Sequence, residues 1–322
     1  MSGFELVDYT SARWDELVEL NRAVWGTSVD EPHFRWWFDG NPVGPRLITL
    51  AQDAEGLIGL GAMRFAQVQI GGREQLAAIS QDTITHPRAR GRGVFQAVVR
   101  RNEEEAGKAG ASVLLGFANA ASAPIFVGPL GWHDVCRPRF WARPLLRRGG
   151  RHGLRPAEST SGARGSLSVR PLERFDAEAE ALYRRAAECW PDHFLRSAEQ
   201  HEWRYAGSPN GYRLLGAYGR EGLRAFAAVG YAVHHRVPAG VVLDLVAPPG
   251  GLAPVRALLR AAARAVDGRA LLAMPPPDRA QRAAFVSAGF LPTHVRLRLI
   301  AKPLTEDAPS RMYAVPGDTD IF

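Results

Sequence analysis

Cysteine is scarce in this sequence of 322 residues, which contains only Cys136 and Cys189. Two cysteines so far apart form neither a disulfide framework nor the cluster of thiolates that binds zinc. The adjacent His234 and His235 would point to opposite faces of a strand, and the other seven histidines are dispersed. The sequence therefore predicts no metal site.

Long apolar segments are missing as well. None reaches the roughly 18 to 20 residues that a membrane helix needs, and residues 1–9 lack the basic segment and apolar core of a signal peptide. We therefore expect a cytoplasmic protein without a membrane partner. With 46% hydrophobic and 23% charged residues, the composition excludes the disordered and fibrous classes, and the length suits two domains.

Lysine is nearly absent. Lys108 and Lys302 are the only lysines among the 40 basic residues. The formal net charge of +7 therefore comes from arginine, and it permits binding to ligands that carry phosphate. The arginines are scattered, and no basic tract is interleaved with aromatic residues as in proteins that bind nucleic acid. We expect no nucleic-acid partner.

An eight-residue pattern occurs twice in the chain. Residues 40–47 read G-x-P-x-G-x-R-L, and residues 207–214 repeat that pattern. Each copy follows a segment with one apolar stripe, which is typical of an amphipathic helix. The two halves also end alike, with A-R-P-L at residues 142–145 and A-K-P-L at residues 301–304. These matches, in the same order, indicate an internal duplication.

The duplication predicts how the chain is divided. The first domain spans residues 1–146 and the second spans residues 167–304. Residues 147–166 between them are rich in glycine, serine, arginine and proline, a composition typical of a flexible linker. Residues 305–322 form a polar tail that could dock through its final carboxylates, although a frayed end is the favoured interpretation.

One turn in the first half has the composition of a phosphate site. A strand that ends at Thr85 leads into this turn, and a helix begins directly after it at Val94. The turn contains three arginines and two glycines: Arg88, Arg90, Gly91, Arg92 and Gly93. Glycines let a ligand approach the backbone, and a helix N-terminus presents free N–H groups to an anion. We therefore predict a pyrophosphate cradle, although neither a G-x-G-x-x-G nor a P-loop pattern is present.

At these residues the sequence resembles the GNAT acyltransferase superfamily. The superfamily motif Q/R-x-x-G-x-G/A is matched by Arg88-x-x-Gly91-x-Gly93, and Asn119 and then L-G-W at residues 130–132 follow at family spacing. The resemblance implies an α/β (α+β) chain of two tandem GNAT folds, each a mixed, mostly antiparallel sheet flanked by helices. It also implies transfer of an acetyl or longer acyl group from acetyl-CoA or acyl-CoA to a primary amine of a small molecule.

The resemblance also implies which residues bind the co-substrate. Backbone groups of Thr83, Ile84 and Thr85 would pair with the pantetheine arm and with the thioester oxygen. Asn119 and Ser122, which follow the next strand, would border the same site. The CoA pyrophosphate would be held by the turn and the first helical residues: Arg90, Gly91, Arg92, Gly93, Val94 and Phe95.

The second half departs from the motif. Residues 242–252 align with the strand and the turn, and Asp244 matches Asp82, but the arginines and the G-x-G are gone. The helix behind the turn keeps its apolar stripe, and A-G-F at residues 288–290 repeats L-G-W at residues 130–132. We interpret the second half as a degenerate GNAT domain that no longer binds CoA.

Three residues are candidates for moving protons during acyl transfer. Many family members carry a tyrosine that protonates the leaving thiolate, and its position falls on or beside Phe126 in this sequence. Ser122 is the remaining hydroxyl on that helix, and a role as helix cap suits it equally. Asp82 lies on the motif strand, although its counterpart Asp244 in the degenerate half favours a structural role. His193 is a natural proton acceptor near pH 7, but an exposed loop histidine is also compatible with its position.

The identity of the amine rests on the resemblance alone. The chain looks similar to the N-acyltransferases that modify the glucosamine of glycopeptide antibiotics in its length, its arginine-rich composition and its degenerate second half. That similarity implies an amino sugar of a natural product as the acceptor and a role in antibiotic biosynthesis. A non-catalytic acyl-CoA sensor or scaffold is the alternative, and the chain would act as a monomer or homodimer.

Overall fold

The computed structural model describes residues 3–145, 153–156, 159, 167–234, 237–305 and 309–319. The strands of the first 145 residues are β1 (Glu5–Asp8), β2 (Leu47–Asp53), β3 (Gly56–Ile70), β4 (Arg73–Thr85), β5 (Val113–Phe117), β6 (His133–Cys136) and β7 (Arg139–Pro144). The helices of the same part are α1 (Trp14–Trp25), α2 (Glu31–Phe34), α3 (Val94–Lys108) and α4 (Ala123–Val127).

The remaining described residues form a second series of elements. Its strands are β8 (Gly153–Leu154), β9 (Ser168–Pro171), β10 (Asp192–Phe194), β11 (Arg213–Gly219), β12 (Gly222–His234), β13 (Val237–Val246), β14 (Val266–Asp267), β15 (Ala270–Ala273), β16 (Leu291–Arg296), β17 (Leu299–Pro303) and β18 (Met312–Tyr313). Its helices are α5 (Ala177–Ala187), α6 (Ala198–His201), α7 (Leu252–Ala265) and α8 (Arg279–Ser287). None of the described helices is long and apolar enough to cross a membrane.

The chain divides into two units. Unit 1 consists of Met1–Arg137 with Leu297–Met312, and unit 2 consists of Pro138–Arg296 with Tyr313–Phe322. The sheet of unit 1 has the strand order β1-β2-β3-β4-β5-β17-β6, in which only β4 and β5 run parallel. Helix α3 packs across this sheet and buries Val94, Val98 and Val99 in its core.

The sheet of unit 2 repeats this arrangement strand for strand. Its order is β9-β11-β12-β13-β15-β7-β16, and only β13 and β15 run parallel. Helix α7 occupies the place of α3 and buries Val255, Leu258 and Leu259. A turn of π-helix precedes the G-x-P-x-G-x-R-L pattern in both units, at Arg35–Asp39 and at Glu202–Ala206. The predicted fold class, two tandem α/β folds with mixed, mostly antiparallel sheets, is confirmed.

Each half of the sequence contributes its last strand to the sheet of the other unit. Strand β7 lies between β15 and β16, and β17 lies between β5 and β6. The units are therefore not the contiguous segments 1–146 and 167–304 that the duplication predicts. The strands that close the two halves share the A-x-P-L pattern, and a repeat pattern does not show which sheet a strand joins.

A buried carboxylate ties the inserted strand β17 to unit 1. Glu103 of α3 is 7% exposed. It accepts hydrogen bonds from Trp132 Nε1 at 2.6 Å and from Lys302 Nζ of β17 at 2.6 Å. One of the two lysines of the sequence therefore helps to hold the exchanged strand, because a buried carboxylate needs donors of this kind.

Most of the predicted linker, residues 147–152, 157, 158 and 160–166, lies outside the described residues. Within the linker range, Gly153–Leu154 does not behave as a free segment, because it forms strand β8 and pairs with β14 of unit 2. Arg155 continues this contact through an ion pair with Asp267 at 2.9 Å. The prediction of a linker without packing is therefore wrong for these residues.

The end of the chain docks in unit 2, so the predicted frayed tail is wrong for residues 313–319, which are buried. The Asp318 carboxylate accepts two hydrogen bonds from Arg196, at 2.8 and 3.2 Å. Arg204 donates to two backbone carbonyl oxygens of the tail. The composition of the tail did not reveal this docking because Arg196 lies 122 positions earlier. Residues 306–308 and 320–322 lie outside the described part.

We predict that Asp318→Ala destabilises unit 2 by about 3 kcal/mol, because it removes the two-point partner of a buried guanidinium. The matched control is Glu221→Ala, which breaks an exposed ion pair with Arg224 and should cost about 0–1 kcal/mol. Urea denaturation followed by circular dichroism measures both changes. Equal and small losses in the two variants would show that the tail contributes nothing to the stability of unit 2.

Candidate functional site

The motif strand β4 contains a bulge at Asp82. Leu60 of β3 pairs with Ile84, but Ala62 pairs with Gln81, so a single residue of β3, Gly61, faces two residues of β4. Asp82 is exposed and has a φ of 43°, in the left-handed region, which aspartate tolerates better than most residues. The bulge bends β4 and increases its local twist.

Helix α3 stabilises the backbone opposite this bulge. Asn102 is buried, and its Nδ2 donates to the carbonyl oxygen of Gly61 at 2.7 Å. Its Oδ1 accepts from Thr49 Oγ1 of β2 at 2.6 Å. Gly61 also pairs with Thr49 of β2, so Asn102 adds a side-chain hydrogen bond to the strand residue that lies opposite the bulge. The sequence pattern did not single out Asn102, because its partners lie 41 and 53 positions away.

Beyond Ser80, β4 is no longer paired with its parallel neighbour β5. The two strands pair only from Ala77 to Ser80, whereas β4 continues to Thr85. His86 N–H donates to Ile58 of β3, and backbone groups alternate sides along a strand. The backbone groups of Thr83 and Thr85 therefore face the opening between β4 and β5. Ile84, the middle residue of the predicted trio, faces β3 instead.

The turn after β4, residues 88–93, is called the Arg–Gly turn below. Gly91 and Gly93 both have a φ of 79°, and a Cβ on either would meet no atom within 4 Å. Helix α3 begins immediately afterwards without a side-chain cap, and Ala97 is the first residue whose N–H reaches back, to Gly93. The N–H groups of the first turn of α3 therefore have no acceptor within the helix, which is the arrangement that binds an anion.

The three arginines of the turn are not equivalent. Arg88 and Arg92 both bind the Asp53 carboxylate, at distances of 2.8 to 3.0 Å. Within the described part of the chain, Arg90 is the one of the three whose side chain makes no hydrogen bond or ion pair. Asp53, which the sequence pattern does not reveal, therefore engages the side chains of Arg88 and Arg92 and leaves that of Arg90 for a phosphate.

Asn119 and Ser122 form a local capping arrangement before α4. Asn119 Oδ1 accepts from the N–H groups of Ala121 and Ser122 at 2.9 Å, and Ser122 Oγ accepts from Asn119 N–H at 3.2 Å. Phe126 of α4 packs against Phe95 of α3 with ring centroids 5.4 Å apart. Unit 1 thus brings together the Arg–Gly turn, the start of α3 and the α4 segment.

A second polar contact on β4 was not found from the sequence. Trp37 Nε1 donates to Gln81 Oε1 at 2.8 Å, and Arg64 lies over the Trp37 ring at 4.8 Å. The indole nitrogen can only donate, so the Gln81 amide oxygen must face it. Among the described residues Gln81 Nε2 has no hydrogen-bond partner. Gln81 directly precedes the bulge residue, so this contact fixes the strand at that point.

His193 belongs to unit 2, on β10, and is fully buried rather than exposed in a loop. Its Nδ1 lies 2.8 Å from the carbonyl oxygen of Pro191, which can only accept. Nδ1 therefore carries the proton and Nε2 carries a lone pair, and Nε2 has no partner among the described residues. Burial lowers the pKa of His193, and the hydrogen bond to Pro191 offsets only part of this effect.

The equivalent turn of unit 2 is closed. Leu252 N–H donates to Gly250 at 2.7 Å, and Gln281 Nε2 donates to the carbonyl oxygens of Ala247 and Pro248 at 2.9 Å. Pro254 in the first turn of α7 has no N–H at all. Few free donors remain at this helix start, in contrast with α3.

Asp244, the counterpart of Asp82, is a buried structural carboxylate. His201 Nε2 and Tyr205 Oη lie 3.3 Å from its Oδ2, and Arg196 Nε lies 3.6 Å away. Burial by itself raises the pKa of Asp244, but the Arg196 charge and the His201 hydrogen bond outweigh it, so the pKa is lowered. Across the described residues, no group of three or more His, Cys, Asp or Glu side chains is placed to bind a metal ion.

Comparison with known proteins agrees with this geometry. Residues 5–134 match the family model described as an acetyltransferase (GNAT) domain. No curated protein matches the chain.

Several solved structures share the fold over nearly the whole chain. A GCN5-related N-acetyltransferase from Kribbella flavida is 17% identical with a TM-score of 0.65, covering 94% of this chain and 71% of its own. Saccharomyces cerevisiae N-myristoyltransferase with bound myristoyl-CoA is 12% identical with a TM-score of 0.66, covering 94% and 79%. Eis1 from Mycobacterium abscessus is 17% identical with a TM-score of 0.58, covering 93% and 73%. At these identities the likeness concerns the fold.

Proposed function

We propose that the chain is an acyl-CoA-dependent N-acyltransferase whose unit 1 binds acyl-CoA and transfers the acyl group to a primary amine. The observation that carries this proposal is the uncapped start of α3 beside the open end of β4. The GNAT domain match over residues 5–134 supports it, as does the similarity to an N-myristoyltransferase solved with myristoyl-CoA.

The residues of the Arg–Gly turn fit the diphosphate of CoA. The glycines leave open space where a Cβ would stand, so the diphosphate can approach the backbone closely. The N–H groups of Gly91, Gly93, Val94 and Phe95 would donate to it, and Arg90 supplies a free guanidinium. Arg92 contributes through its backbone, because Asp53 engages its side chain.

The open edge of β4 would hold the acyl end. Acyl-CoA supplies a thioester whose carbonyl carbon can accept an amine. Backbone groups of Thr83 and Thr85 face the opening between β4 and β5, where they would pair with the pantetheine arm. An N–H group fixed there would also stabilise negative charge on the thioester oxygen. Ile84 would act only through its buried side chain, because its backbone faces β3.

The attacking amine must lose a proton, and two residues remain candidates for accepting it. His193 has a lone pair on Nε2 and a lowered pKa, so it is neutral near pH 7. Asp82 is exposed at the bulge of β4. Ser122 is less suited to donate a proton to the leaving thiolate, because the Asn119 hydrogen bond supports the capping role. We propose His193 as the base and Asp82 as its rival.

We further propose a small primary amine as the acceptor, and an amino sugar of a natural product is the first compound class to test. This part rests on the resemblance to glycopeptide N-acyltransferases. A non-catalytic acyl-CoA-binding protein is the second candidate, favoured by Phe126 at the tyrosine position and by the closed turn of unit 2. Mass spectrometry of amino sugars incubated with acetyl-, octanoyl- and decanoyl-CoA separates the two, because only an enzyme releases free CoA thiol together with an acylated amine.

We predict that Gly93→Val weakens CoA binding at least tenfold and abolishes transfer, because the new side chain fills the space of the diphosphate. The matched control is Gly72→Val in the β3–β4 hairpin, where φ is 78° and a Cβ also meets no atom within 4 Å. The two positions have nearly the same positive φ, so valine meets similar backbone strain at both, and circular dichroism checks that α3 is kept in Gly93→Val. Equal affinities of the two variants, measured by calorimetry, would contradict the proposed diphosphate site.

We predict that His193→Ala lowers kcat by roughly 10²–10⁴-fold and changes CoA affinity by no more than a few-fold. Burial depresses the pKa of His193 below 6.5, so the wild-type rate should hold at neutral pH and fall only at pH values below 6.5, as the imidazole is protonated. His294→Ala, an exposed histidine of β16, is the control and should leave the rate unchanged.

Asp82→Asn tests the rival base in the same assay. A large loss of rate in Asp82→Asn with a normal rate in His193→Ala would identify Asp82 as the base. Near-normal rates in both variants would show that neither residue accepts the proton.

A further inference from the structure

One carboxylate engages two arginines of the Arg–Gly turn. Arg88 donates to both oxygens of Asp53 through Nη1 and Nη2, at 2.8 and 2.9 Å, and Arg92 Nη1 donates to Oδ2 at 3.0 Å. The Asp53 side chain is 9% exposed, whereas the side chains of Arg88 and Arg92 are 27% and 36% exposed. Asp53 lies at the end of β2, so the turn is anchored to the sheet.

These contacts are well suited to hold a backbone conformation. A guanidinium that binds both oxygens of a carboxylate is fixed in position and in orientation. The hydrogen bond from Arg88 holds the pKa of Asp53 well below its usual range, so the carboxylate stays charged at neutral pH.

Packing does not hold the turn at its glycines. No atom lies within 4 Å of the Cβ positions of Gly91 and Gly93. The hydrogen bonds inside the turn, from Arg90 N–H to Pro87 and from Arg92 N–H to Ala89, are long at 3.4 and 3.3 Å. Ala89, at the start of the turn, is buried in the core of unit 1, and Arg92 Nη2 also donates to the Gly3 carbonyl oxygen at 3.0 Å. The ion pairs with Asp53 are the contacts that tie the arginine side chains of the turn to the sheet.

We propose that Asp53 is a positioning residue for acyl-CoA: it holds the Arg–Gly turn in the conformation that presents its backbone N–H groups to the diphosphate, without contacting the ligand. This inference rests on the proposed function.

Loss of the carboxylate would have two opposing effects. It would free two guanidinium groups, which favours an anion. It would also release the turn, so binding would have to order several backbone residues. Attraction between exposed charges is screened at physiological salt, whereas the ordering cost is not. The positioning role therefore predicts weaker binding even though the local positive charge increases.

Titration calorimetry of Asp53→Asn with CoA at about 0.15 M salt tests whether loss of the carboxylate weakens or strengthens CoA binding. We expect the dissociation constant to rise about tenfold. Dephospho-CoA should show the same rise, because the effect concerns the diphosphate and not the 3′-phosphate. The control Asp8→Asn removes the same charge from an exposed ion pair with Arg101 and should leave affinity within about twofold. Unchanged or tighter binding by Asp53→Asn would overturn the proposal.

A double-mutant comparison tests whether Asp53 acts through the arginines. In an Arg88→Met, Arg92→Met background, Asp53→Asn should change affinity by less than about twofold, since its partners are gone. A full tenfold effect in that background would contradict the proposal. If Asp53→Asn does not fold, Arg88→Lys is the second variant. It keeps the positive charge but loses the two-point contact with Asp53, so it should also weaken CoA binding. Unchanged CoA affinity of Arg88→Lys would then overturn the proposal.

Trypsin cleavage after Arg90 provides a readout that needs no ligand. In the protein without CoA, Asp53→Asn should be cut at the turn several-fold faster than the wild type and Asp8→Asn, with fragments assigned by mass spectrometry. An unchanged rate would overturn the positioning role. Failure of the wild type to bind CoA would instead refute the proposed function, and the cleavage rates would still decide the role of Asp53.

Discussion

The close packing of α3 on β3 is the constraint on which unit 1 depends. A Cβ on Gly59 would overlap Val94 at the start of α3, and one on Gly61 would lie 3.0 Å from Val98. Glycine at these two strand positions therefore lets the helix approach the sheet. As a result, the free N–H groups at the start of α3 lie next to the open end of β4, and Asn102 reaches the carbonyl opposite the bulge.

Unit 2 has the same scaffold as unit 1 but a different turn. Its strand order and its buried helix α7 match those of unit 1. Its turn is closed by Gln281, and Asp244, the residue aligned with Asp82, is buried among Arg196, His201 and Tyr205. The same architecture therefore leaves the N–H groups at the helix start free in unit 1, whereas hydrogen bonds close the turn before the helix in unit 2. The difference lies in a few residues of the turn and not in the fold.

Local features could be predicted from the sequence, and long-range ones could not. The duplication, the two sheets and the strand–turn–helix segment around Gly91 and Gly93 depend on residues close together in the chain, and the structure has them as expected. The exchange of β7 and β17 and the docking of Asp318 depend on partners more than a hundred residues away. Asp53 and Asn102 were missed for the same reason, because a single polar residue shows no pattern until its partner is known.

The central claim is that the chain has one acyl-CoA site, in unit 1. The stoichiometry of CoA binding to the full chain, measured by titration calorimetry, tests it most directly. The open turn of unit 1 and the closed turn of unit 2 predict one CoA per chain. Two CoA molecules per chain, or one that stays bound when Gly91 and Gly93 are both replaced by valine, would contradict the claim.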